Sequence, residues 1–162
     1  LLEIYDVLLR LLAASVVQSI KVHDWWCPGD VSVNATSLAN LLEQCQSLKV
    51  LTFYNVNTLD EDQIRVLGAF SRPGLEIILA LCEVTRTGAS ALGEVLGRNQ
   101  GPTKLLGCEI DNFLFADGLR GNSRLKCLEP IISRNSGVAN RELLTMAGAL
   151  RDNRGLVNLH LA

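Results

Sequence analysis

Between Ile77 and Asn99 the chain changes its hydrophobic period. Ile77, Leu79 and Leu81 alternate with Ile78, Ala80 and Cys82, the period of two expected of a strand. Ala89, Leu92, Val95 and Leu96 then recur at helical spacing and predict one buried stripe. Thr85 and Thr87 are placed to accept from the free N–H groups of a helix start, and Gly97 and Asn99 suit a helix end. One strand, turn and helix of this size cannot bury both faces alone, so it needs a similar unit on either side.

Such units recur from end to end. Anchored on Val7, Leu38, Val66, Leu92, Phe115 and Met146, they are separated, by subtraction, by 31, 28, 26, 23 and 31 residues. Three apolar columns follow the anchors: Ile20, Leu51, Leu79, Leu105, Leu128 and Leu159; then Val22, Phe53, Leu81, Gly107, Pro130 and Leu161; then Trp25, Val56, Val84, Ile110 and Ser133. These are the predicted buried strand positions. Strand side chains alternate, so the residues between them share the opposite face. That face carries Ile78 and Lys104, then Lys21, Thr52, Ala80, Leu106 and Glu129, then His23, Tyr54, Cys82, Cys108, Ile131 and Ala162. Asp24, Asn55, Glu83 and Glu109 extend it, and stacked like charges there favour a cationic partner. Cys82 and Cys108 are expected side by side, within disulfide reach if their Cβ vectors allow.

The remaining punctuation fills in the units. Residues 1–17 read as an amphipathic outer helix, followed by a first strand over Ile20 to Asp24 and a loop from Trp25 to Asp30, where Trp26 points away from the buried column. A second helix is predicted over Ser37 to Cys45, capped by Thr36 or Ser37, and a third opens at Asp60 with Gln63 completing a capping box. Only five residues separate Ile110 from Phe115, which predicts a short or distorted turn in place of a helix. The longer interval around residues 134–141 reads as a loop, either drifted or a basic contact surface. The strand from Val157 to Ala162 leaves an uncovered edge, which invites self-association.

The LxxLxL phrases Leu48, Leu51, Phe53 and Leu156, Leu159, Leu161 follow helix stops such as ALRDNRG. They resemble leucine-rich repeats, and the TxxGAxAL phrase from Thr85 to Leu92 resembles the ribonuclease-inhibitor-like subfamily. The resemblance implies an α/β solenoid, a horseshoe of about six strand–helix repeats with a parallel concave sheet and convex helices. It implies a protein–protein interaction scaffold that binds its partner on the concave face. A regulatory or GTPase-activating-like module, or a substrate-receptor subunit of a larger complex, is the alternative.

Composition narrows these expectations. One solenoid domain over residues 1–162 accounts for the length, and a start on Leu1 reads as a fragment of a longer solenoid. A hydrophobic content of 48% with 5% aromatics fits a thin aliphatic core. A net charge of −2 gives no footprint for nucleic acid, and the longest uncharged run, Leu11 to Ile20, is too short to span a bilayer. The partner is therefore expected to be another protein, one presenting a basic patch. Five scattered cysteines without metal-ligand spacing point to reduced thiols in a cytoplasmic or nuclear protein, with no metal and no cofactor. No phosphate loop or nucleophile elbow appears, so an enzyme is not expected.

Overall fold

A computed structural model describes residues 17–23, 34–131 and 136–160. Six strands form one sheet: β1 (Ser19–His23), β2 (Val50–Tyr54), β3 (Glu76–Ala80), β4 (Lys104–Cys108), β5 (Cys127–Pro130) and β6 (Asn158–Leu159). They stand in chain order, each parallel to the next. A parallel neighbour cannot be reached by a tight turn, so every connection must cross over the sheet. The crossovers are α1 (Ala35–Gln44), α2 (Glu61–Ala69), α3 (Arg86–Gly97), the single turn α4 (Asn112–Phe115) with a 3-10 turn over Ala116–Leu119, and α5 (Ser136–Leu150).

The helices cover one sheet face. Leu51, Phe53, Ile77, Leu79, Leu105 and Leu128 point into that layer and meet Leu38, Leu42, Ile64, Leu67, Leu92, Leu96, Phe115 and Leu119 in one core. The opposite face of the sheet carries half-buried and exposed side chains. Local chemistry starts the helices where they begin. Asp60 accepts from the Gln63 backbone and the Gln63 side chain returns to the Asp60 N–H, closing the capping box. Thr85 accepts from Gly88 N at 3.0 Å. Asn34 caps α1 by accepting from Ser37 N at 2.8 Å, so that helix starts two residues ahead of the expected Ser37. Asparagines then tie loops to helix ends: Asn122 donates to Leu96 O and accepts from Arg124 N and Leu125 N. Asn153 repeats the arrangement on Leu119 O, Gly155 N and Leu156 N.

Two further expectations are corrected. The pairing of β2 with β3 sets Leu51 opposite Ile77 and Phe53 opposite Leu79, two residues from the column read off the sequence. A slip of two preserves strand parity, so hydrophobic alternation could not detect it. Residues 136–141 are the opening turns of α5 and not a loop. The fifth unit is a short pair of turns in place of a full helix, as its interval predicts. Residues 1–16 of the first helix expected over residues 1–17, the Trp25–Trp26 loop, Arg134, Asn135 and Ala162 lie outside the described residues.

Candidate functional site

The uncovered face is built by register. Lys21, Thr52, Ile78, Lys104 and Cys127 lie side by side across the first five strands. His23, Tyr54, Ala80, Leu106 and Glu129 form the next row. Paired strands stand about 4.8 Å apart, so each row is a closely spaced line of side chains. At its β1 end, Lys21 Nζ sits 4.1 Å from the centre of the Tyr54 ring, and the His23 ring lies 5.1 Å from it. Lys104 does not face solvent alone, because its Nζ is 2.6 Å from Glu76 on β3. Ala80 occupies its predicted row but is only 8% exposed, its small side chain lying in a surface lined by larger neighbours.

Beyond this row the backbone turns. Asn55, Leu81 and Gly107 follow three aligned positions, Tyr54, Ala80 and Leu106, and have φ of 54°, 54° and 57°. Asn55 N still donates to Ala80 O and Leu81 N to Leu106 O, so the ladder continues through the kink. The left-handed residue reverses strand parity. Val56, Cys82 and Cys108 therefore turn into the core at 7%, 1% and 2% exposure, and Leu81 turns out at 52%. The placing of Cys82 and Cys108 on the outer face is thus corrected, as is the burial of Leu81. Asn55 and Gly107 were the sequence signal, since both residue types enter this conformation readily. The two-residue slip kept them out of one column.

Cys82 and Cys108 remain neighbours as thiols. The single Cys82 S–H has Phe53 O at 3.4 Å and Ala80 O at 3.3 Å as alternative acceptors, and Cys108 Sγ lies 3.7 Å from Leu106 O. A hydrogen bond from Cys108 draws the Cys82 thiol down to about 7, against the effect of burial. The same bond, then burial, pushes the Cys108 thiol far up. Both cysteines are free.

Past the kink, Glu83 and Glu109 are exposed and bridge one another as strand neighbours, as the repeat spacing predicts. Their equivalent on β2 is Asn57 and not Asn55, because the spacing of β2 and β3 is 26 residues. Asp24 lies outside the described residues. Among the described residues neither Glu83 nor Glu109 has an ion-pair partner. At the opposite ends of the strands, Gly74, Glu76, Asn99, Thr103, Ser123, Arg124 and Lys126 line an open recess of about 460 Å³. Its cations are engaged by carbonyls: Arg124 donates to Gly101 O and Leu75 O, and Lys126 to Ser123 O. Burial lowers the Arg124 pKa, and these carbonyls hold the guanidinium in place.

Among the described residues no group of three or more His, Cys, Asp or Glu side chains is placed to hold a metal ion. No helix among them is long and apolar enough to cross a membrane. Compared with known proteins, the chain is matched by no protein-family model and by no curated protein.

Proposed function

We propose that this chain is a protein–protein interaction scaffold, built as a leucine-rich repeat solenoid of the ribonuclease-inhibitor-like kind. Its uncovered sheet face is the concave working surface. The six parallel strands in chain order, joined by helices on one face, support the architecture. The observation that carries the function is the outer face itself. Two aligned rows present Lys21, His23, Tyr54, Ile78 and Leu106 on rigid strands, a mixed apolar and polar surface open to a large partner. His23 and His160 stand at opposite edges of the sheet, which favours binding over acid–base chemistry.

The test is capture of a partner from the source cell by wild type and by a Tyr54→Ala, Leu106→Asp variant, with circular dichroism confirming equal folding. Loss of a captured protein in the variant supports the reading. Equal capture by both rules this face out as the binding surface.

A further inference from the structure

The strand-end rim beyond the left-handed kink has a chemistry of its own. Leu81 is 52% exposed while the strand leucines Leu79 and Leu105 beside it are fully buried. It holds φ of +54° at a position where its neighbours are Asn55 and Gly107. Leucine neither eases that backbone nor gains burial from it, so folding alone does not account for its side chain. It leans over β4, where a Cβ on Gly107 would lie 3.0 Å from Leu81 Cδ2. Two more large apolar residues lie at the same ends of the strands. Ile131 is 50% exposed just after β5, and Phe113 is 42% exposed beside Asn112, whose amide donates to Ile131 O. Glu83 and Glu109 stand together at this rim without ion-pair partners among the described residues.

We propose that the rim formed by Leu81, Glu83, Glu109 and Ile131 docks an extended segment of another protein, one that sets an apolar side chain beside a lysine or arginine. The inference rests on the reading of the chain as an interaction scaffold and names the chemistry of what it binds. Charge complementarity selects the occupant. Two carboxylates one strand apart repel, and a single cation between them relieves both. Exposed apolar side chains beside charged ones are a usual form of protein contact. Leu81, half-exposed where it lies over β4, supplies the apolar contact.

The experiment is selection from a phage-displayed library of random peptides on the immobilised chain, with a Glu83→Lys, Glu109→Lys variant as a parallel target. Wild type is expected to enrich peptides that pair Lys or Arg with Leu, Ile or Phe. The charge-reversed variant should bind them about tenfold more weakly or worse, and added salt should weaken the wild-type complex. Leu81→Asn, whose denaturant midpoint is measured alongside, should also bind about tenfold more weakly without loss of stability. No enrichment, enrichment without a basic residue, or full binding by either variant overturns the proposal. Peptides lost by Tyr54→Ala, Leu106→Asp but kept by the rim variants overturn it while leaving the broader scaffold reading standing.

Discussion

At the scale of single residues, Leu81 sets conformation against composition. A non-glycine residue in the left-handed region carries strain on the order of 1 kcal/mol, and Leu81 recovers little of it at 52% exposure. Leu81→Asn is therefore expected to raise stability by about 0.5–1 kcal/mol, read as a higher urea midpoint at unchanged slope. A fall of that size would instead mean that the leucine side chain packs more than its exposure implies. Cys82 poses a second contest, between acidity and access. Its thiol is drawn down to about 7, which favours the reactive thiolate, yet it is 1% exposed. Access decides, because the reagent must reach the sulfur. Brief iodoacetamide treatment at pH 8, followed by peptide mass spectrometry, should label half-exposed Cys127 and leave Cys45, Cys82 and Cys108 protected. Labelling of Cys82 as fast as Cys127 would show that the kink opens locally.

At the scale of elements, the fifth unit shows what replaces a helix when the interval is too short. α4 and the 3-10 turn pack on α3 so closely that a Cβ on Gly118 would collide with the Gly93 backbone. A Cβ on Gly93 would in turn come 2.8 Å from Leu114 O. Gly118→Ala should cost about 1–3 kcal/mol, the range of core overpacking, measured by denaturant unfolding. A neutral result would mean that the turn moves freely off α3. The short interval between Ile110 and Phe115 made this element legible in outline, and Asp60 with Gln63 made the start of α2 legible in detail. The outer-face positions Lys21, Thr52, Tyr54, Ile78 and Leu106 were also readable, because a period of two survives a two-residue slip. What hid was the reversal at Leu81. Leucine is a poor marker of left-handed backbone, so the alternation was carried through it to Cys82 and the buried and exposed residues exchanged places. Phe113 escaped the site because it lies past the strand ends, where no periodicity constrains it, whereas exposed Ile131 was legible on the outer face from the repeat spacing.

At the scale of the molecule, protection should follow the number of strands that pair with each strand of the sheet. β3 is held on both sides and its inward residues Ile77 and Leu79 are fully buried. β6 has two residues, both exposed, and among the described residues its end of the chain is held by Val157 N and Asn158 N on Lys126 O and by His160 N on Leu128 O of β5. Val157 and Leu144 at this end are 74% and 73% exposed, so little apolar burial resists opening. Amide hydrogen exchange at Asn158 and His160 should therefore outrun exchange at Leu79 by on the order of a hundredfold. Equal protection would have two readings that dilution separates. If protection of β6 falls on dilution, a second chain adds to the sheet beside β6 by strand addition. If it does not, the sheet opens as one cooperative unit, and stability is shared across all six strands.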